Sequence, residues 1–272
     1  FAHQYFNPQA IVAALVLFVC FSLSASSIYI VNDLLDIESD RQHKRKKNRP
    51  FAAGKLIPHE GVLLAFTLLA IAFSIAFLFL NLKSILVLMA YLVITNTYSF
   101  YLKNYSTIDV ITLTLLYTTR IFAGGVATGI AISPWLLNFS LFFFLSLAYM
   151  KRYIELAKSD SDGRLPGRNY HKDESDVILT TGIVNGGIAV FTLSLYLNSD
   201  FVISSYSSPG LLWLVCPVLL FWVYRAWMWT KRNKIDDDPV VFALKDKISL
   251  LAATLILCLV VIARFVDVER FL

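Results

Sequence analysis

The sequence is poor in charge: Asp, Glu, Lys and Arg together make up 16% of its residues, where a soluble domain carries roughly a quarter. That shortfall excludes an ordinary water-facing globular surface. Cysteine is scarce too. The three present, Cys20, Cys216 and Cys258, all lie in apolar runs without CxxC spacing, so they read as small apolar packing residues. The four histidines, His3, His43, His59 and His171, include no i, i+4 pair, which excludes the helical metal pair that uses that spacing. No basic segment precedes the first apolar run, so a cleaved signal peptide is not expected. The chain opens on Phe1 rather than Met, and the expectation is a single transmembrane domain over 1–272 whose N-terminus has been trimmed.

What is abundant is apolar length. Hydrophobic residues reach 57% and mean hydropathy is +0.66. A helix crosses a hydrocarbon layer with about 20 mostly apolar residues. Eight stretches qualify: Pro8–Val31, Gly61–Leu80, Ser84–Leu102, Ile108–Thr128, Pro134–Met150, Val177–Leu197, Pro209–Trp229 and Ile248–Phe265. The expected fold is therefore all-α, a polytopic membrane bundle of eight visible helices with cytoplasmic cap loops. Nine are expected if one precedes Phe1.

Lysine and arginine set the orientation. Loops one, three, five and seven carry them, from Arg41 to Lys55, at Lys103, from Lys151 to Lys172 and from Lys231 to Lys247, while the even loops hold only Lys83. Basic short loops stay cytoplasmic, so the odd loops face the cytoplasm of a bacterial-type inner membrane. Positive-inside bias and anionic lipid account for the basic run Lys44–Lys47. They do not account for the acids in the same loops. Nucleic-acid binding is excluded, since these loops are short and tied to membrane helices. The sequence leaves open whether the chain forms a homo-oligomer.

The first acidic segment is N-D-L-L-D-I-E-S-D, Asn32 to Asp40. If the first helix continues, Asp33, Asp36 and Asp40 fall at i, i+3 and i+7 on one face, with Asn32 a turn from Asp36. Like charges at that spacing repel; a divalent cation reverses the sign. Mg²⁺ takes oxygen ligands and bridges one or two carboxylates to substrate phosphates. The plainer account is a solvated acidic helix end. Beyond the basic run stands N-R-P-F-A-A-G, Asn48 to Gly54. Pro50 and Gly54 stop a helix, so the chain turns there and Arg49 can face a phosphate.

The NDxxDxxxD string followed by basic residues and RPxAxG resembles the first signature of the UbiA superfamily of intramembrane transferases, and helix number and order fit over essentially the whole chain. Aromatic prenyltransferases of that superfamily carry a second aspartate-rich DxxxD motif in the fifth loop. This sequence departs from it with M-K-R-Y-I-E-L-A-K-S-D-S-D, Met150 to Asp162. Lys151, Glu155, Lys158 and Asp162 recur at i+4, i+7 and i+11, while Asp160 and Asp162 are spaced differently from the motif. KRYxEL is similar to the decaprenyl-phosphate phosphoribosyltransferase branch, as are R-I-F-A-G-G-V-A-T from Arg120 and D-P-V-V-F-A-L-K-D from Asp238.

That resemblance implies phosphoribosyl pyrophosphate as donor, a polyprenyl phosphate lipid as acceptor, and Mg²⁺. It implies metal ligands Asp33, Asp36 and Asp40, catalytic roles for Asp33, Asp36, Lys151 and Glu155, and substrate contacts from Asn32, Arg49, Arg120, Arg152, Tyr153 and Lys158. The charge count agrees: a donor 5-phosphate and an acceptor phosphate call for more cations than a prenyl diphosphate does. Snorkelling at the interface is the plainer reading of Lys151 and Arg152. Arg120 sits mid-run, where a charge is by default paired or functional, and is expected to face the bundle interior. Asp109 and the Asp236–Asp238 acids are adequately read as helix caps, with Lys245 and Asp246 as ligand contacts by resemblance only. Two competing readings are prenyl transfer to an aromatic acceptor and a transporter using Arg120, Asn96 and Asn185 at the midplane.

Overall fold

A computed structural model describes residues 7–42, 46–158, 165, 168–235 and 238–267. Lys44, Arg45, Asp160, Asp162, Asp236 and Asp237, weighed above, lie outside the described residues. Every regular element among those described is helical: α1 (Pro8–Leu35), α2 (Ile37–Gln42), α3 (Pro58–Phe79), α4 (Leu82–Phe100), α5 (Ser106–Thr128), α6 (Pro134–Lys158), α7 (Ser175–Leu197), α8 (Asp200–Ser205), α9 (Val215–Lys231), α10 (Pro239–Lys245) and α11 (Lys247–Phe265), with short 3-10 turns between some of them.

Caps explain where several of these begin. Asn7 accepts from the backbone N–H groups of Gln9 and Ala10 at 3.1 and 3.3 Å, with Pro8 next in line. Asn81 accepts from the Ser84 N–H at 2.8 Å and starts α4. Such side-chain acceptors satisfy donors that the helix itself cannot.

Among the described residues, seven helices are long and apolar enough to cross a membrane: α1, α3, α4, α5, α7 and α9 (the last two with the 3-10 turns before them) and α11. The chain is an integral membrane protein. The predicted fifth crossing, Pro134–Met150, lies within α6, a helix of 25 residues that is not among the seven. Its apolar run is diluted by Asn138, Ser140 and Ser146, and its last turns carry K-R-Y-I-E. The count of eight therefore rests on α6.

The chain divides into two compact units, the first containing 1–102 and 119–131, the second 103–118 and 132–272. In the first, α1 packs along α3 through small residues. Ser27 donates to the Ala65 carbonyl at 2.9 Å, and Ala65, Ala72 and Ala76 are buried. Small residues let helices approach closely where lipid removes any hydrophobic drive between them.

In the second unit α7 packs against α6 and α9, and glycine decides how closely. A Cβ on Gly182 would stand 2.1 Å from the Trp227 ring, and one on Gly186 would stand 2.5 Å from Val223. Ser146 ties the three helices, donating to the Gly182 carbonyl at 2.7 Å and accepting from the Trp227 indole N–H at 3.0 Å. At the other end of this unit Ser207 and Ser208 donate to the Arg264 and Val266 carbonyls at 2.9 and 2.8 Å. Exposed Phe18, Leu63, Phe66, Leu78 and Leu251 are the outward apolar surface that lipid covers.

Candidate active site

Helix α1 carries the acidic segment out of its apolar run. The track breaks for one residue at Asp36, with φ −95° and ψ 7°, and resumes as α2. The hydrogen-bond ladder survives the break: the Asp36 N–H donates to the Asn32 carbonyl at 3.0 Å and the Asp40 N–H to the Asp36 carbonyl at 2.8 Å. Asp33 and Asp40 therefore stay on one side, two turns apart.

Arg49 meets both. Its Nη1 donates to Asp33 Oδ1 at 2.9 Å and to Asp40 Oδ2 at 2.8 Å. The R-P-F-A-A-G turn puts it there. The Ala53 N–H donates to the Arg49 carbonyl at 2.8 Å, Gly54 takes φ +70°, and Lys55 closes the loop onto the Pro50 carbonyl. Phe51 is buried against α3 at Gly61, where a Cβ would sit 2.6 Å from its ring. Arg41 donates to the Ala52 carbonyl at 3.3 Å.

Asp33, Asp40 and Arg49 are thus brought together, with Arg49 standing on the acids rather than apart from them. Asn32 and Asp36 are half-buried at the same helix end. Among the described residues no three His, Cys, Asp or Glu side chains gather as a metal cluster. The pair Asp33 and Asp40 nonetheless converges on one cationic nitrogen, and two carboxylates are what Mg²⁺ commonly takes from protein.

Arg120 donates to the Tyr91 hydroxyl at 2.9 Å and lies 5.0 Å from that ring's centre. Tyr91 is buried beside Phe21. The residue as a whole is exposed, so the arginine expected to face the bundle interior sends its guanidinium inward to Tyr91 while the residue stays accessible. Asn96 and Asn185 donate to carbonyls of their own helices, Leu92 and Thr181, at 2.8 and 2.7 Å.

In the second unit the end of α6 is held from two sides. Lys151 pairs with Asp238 at 3.0 Å; Asp238 also accepts the Val240 N–H at 2.8 Å and so caps α10. Burial works against ionising Asp238, but the Lys151 ammonium and the Val240 and Val241 amides outweigh it and hold the carboxyl below its ordinary range. Arg152, expected to steady a phosphate, instead lies 1% exposed with its guanidinium on Asp109 and Glu155.

Asp109, itself 0% exposed, also accepts from Arg168 at 2.7 Å and from the Tyr170 hydroxyl at 3.1 Å. Arg168 Nε lies 3.7 Å from Glu155. Burial first, then the Asp109 charge, pushes the Tyr170 phenol up. Tyr153 is half-buried near Trp227 and Lys158 is exposed. Asp246, a ligand contact by resemblance, caps α11 by accepting the Ser249 N–H at 2.8 Å and takes a two-pronged bond from Arg225 at 2.7 and 3.0 Å.

The pairing of Arg152 with Asp109, and of Asp109 with Arg168 and Tyr170, escaped the sequence reading. Asp109 and Arg152 lie 43 positions apart and Asp109 and Arg168 lie 59 apart, beyond any local spacing rule. The available signal was an acid at the start of an apolar helix, which a cap explains equally well.

Against known proteins, residues 1–251 match the model of the UbiA prenyltransferase family. An uncharacterized protein of Sinorhizobium fredii, y4nM, is 36% identical over 88% of this chain and 47% of its own length. The nodulation protein NoeC of Azorhizobium caulinodans is 31% identical over 86% of the chain and 76% of its own. A decaprenyl-phosphate phosphoribosyltransferase of Corynebacterium glutamicum is 35% identical over 60% of the chain and 49% of its own. The chain spans about half the length of the first and third of these.

Proposed function

This chain belongs to the UbiA prenyltransferase family, and from that premise we propose a Mg²⁺-dependent membrane transferase that moves a phosphoribosyl group from phosphoribosyl pyrophosphate to a polyprenyl phosphate. One observation carries the choice of donor. The segment where aromatic prenyltransferases repeat their paired acids here reads K-R-Y-I-E-L-A-K, with one acid against Lys151, Arg152 and Lys158. The similarity to decaprenyl-phosphate phosphoribosyltransferases, 35–38% identical over about half of the chain, supports it.

In this reading Asp33 and Asp40 would hold the ion, with Asp36 at the same helix end as the further candidate, and the ion would supply positive charge toward a departing diphosphate. The bond between ribose C1 and the pyrophosphate oxygen breaks, and its electron pair leaves with pyrophosphate. A bond forms between C1 and an oxygen of the acceptor phosphate. That oxygen is already ionised at neutral pH, so the chain need not supply a strong base. Arg49, Lys151 and Lys158 oppose phosphate charge, Asn32 and Tyr153 offer hydrogen bonds to substrate oxygens, and Arg120 contacts the lipid side. Glu155 steadies the arginines around it. The active face is the cytoplasmic one, where a soluble donor and a lipid acceptor meet.

The test is purified protein with Mg²⁺, polyprenyl phosphate and labelled donor. Wild type is expected to form a labelled lipid and Asp36→Ala to lose at least about a hundredfold of that rate. Undiminished turnover by Asp36→Ala would overturn the assignment. Product from a prenyl diphosphate and an aromatic acceptor instead would favour the second reading, which the family's name supports. Flux across sealed vesicles without conversion would favour transport, against which stands the self-satisfied bonding of Asn96 and Asn185.

A further inference from the structure

We infer that Arg49 and a divalent cation compete for the same two carboxylates, so that loading the site moves the guanidinium off Asp33 and Asp40 and frees it for an anionic ligand. This rests on the metal–diphosphate reading of the site and adds to it an order of events and a second job for Arg49.

The geometry of the contact points this way. A single nitrogen, Nη1, serves both acids at 2.9 and 2.8 Å. That differs from the two-pronged fork Arg225 makes on Asp246, the arrangement that gives guanidinium–carboxylate pairs their strength and fixed orientation. A single cationic centre between two carboxylate oxygens stands where a metal ion shared by them would stand.

Exposure says which partner can leave. The Arg49 side chain is 38% exposed and that of Asp40 is 2%. The Arg49 backbone, by contrast, is fixed between a 3-10 turn at Lys46–Asn48 and a loop whose Phe51 is wedged at Gly61. A long, solvated side chain on an anchored backbone can change rotamer without unfolding the turn that carries it. Its other guanidinium nitrogen and Nε remain as donors for a phosphate oxygen.

Charge makes the exchange directional. Asp33 and Asp40 repel each other and need a cation between them. A divalent ion there would neutralise both acids, leaving no net charge to hold the guanidinium. An anion bound nearby takes up the displaced arginine, so anion and metal favour each other's binding through Arg49, and the coupling is reciprocal.

The experiment uses the whole chain in detergent and measures Mn²⁺ binding from the free-ion EPR signal, with and without inorganic pyrophosphate. Competition predicts that Arg49→Gln binds Mn²⁺ tighter than wild type without anion, by about fivefold or more, the low end of typical site coupling. It also predicts that the gain in affinity caused by pyrophosphate is smaller in Arg49→Gln than in wild type. Should Arg49→Gln fail to give a monodisperse protein, Arg49→Lys serves: its compact ammonium spans the two acids less well, so intermediate tightening is expected. Weaker or unchanged Mn²⁺ binding in the variant that folds overturns this inference and leaves the metal reading standing. Absence of Mn²⁺ binding in wild type and variant alike overturns both.

Discussion

Asp109→Ala tests the buried network at the end of α6. The Asp109 carboxylate, 0% exposed, accepts from Arg152, Arg168 and Tyr170. Truncation leaves Arg152, 1% exposed on a helix that cannot turn it to water, with Glu155 as its remaining carboxylate among these residues. Removing one partner of a buried ion pair typically costs about 3–5 kcal/mol, because the stranded charge stays buried. Arg168, 21% exposed, can swing outward and adds little. Asp109→Asn keeps an acceptor oxygen and should lose less. Asp109→Ala with Arg152→Met should recover much of the loss, since apolar replacement of a whole buried pair is often neutral or better. The assay is thermal unfolding in detergent followed by tryptophan fluorescence, read as a double-mutant cycle. The reasoning is refuted if Asp109→Ala stays within about 0.5 kcal/mol of wild type, the range of ordinary surface changes, or if the double variant is no more stable than Asp109→Ala.

Acid should weaken the Lys151–Asp238 link: Asp238 is held below its ordinary value, so its contribution is complete above that value and is lost as pH falls through the lower one. Melting of wild type and Asp238→Asn against pH checks this, the two curves converging only in that acid range. Gly182→Ala should destabilise by about 1–3 kcal/mol or more through overpacking, since the new methyl lands 2.1 Å from Trp227. Unchanged melting together with unchanged tryptophan fluorescence would contradict that packing.

What could be read from the sequence, and what could not, follows from range. Apolar run length finds α1, α3, α4, α5, α7, α9 and α11 because a membrane helix satisfies its backbone within itself. The acidic face from Asp33 to Asp40 is equally local, set by helical spacing. The one-residue break at Asp36 was not legible, nor was the return of Arg49 onto the acids, which depends on Phe51 finding Gly61. Lys151 and Arg152 looked alike in the sequence. The fold sends one to Asp238, 87 positions away, and the other to Asp109, and no local rule separates two adjacent cations. α6 shows the limit on the apolar side, since its interface turns carry the charges that lower its hydropathy.

Burial separates Arg152 and Arg225 from Arg49. Arg152 and Arg225 are 1% and 7% exposed and hold carboxylates on other helices of their unit. Exchanging their partners would strand a charge away from water, which confines both to scaffolding. Arg49 makes the same kind of bond with 38% of its side chain in solvent, while Asp40 beneath it is 2% exposed, so it is the arginine that can leave, provided another cation keeps the buried acid paired. Residue type alone makes Arg49, Arg152 and Arg225 equivalent phosphate hands; accessibility leaves Arg49 as the exchangeable one of these three, in the turn that folds back onto the acids.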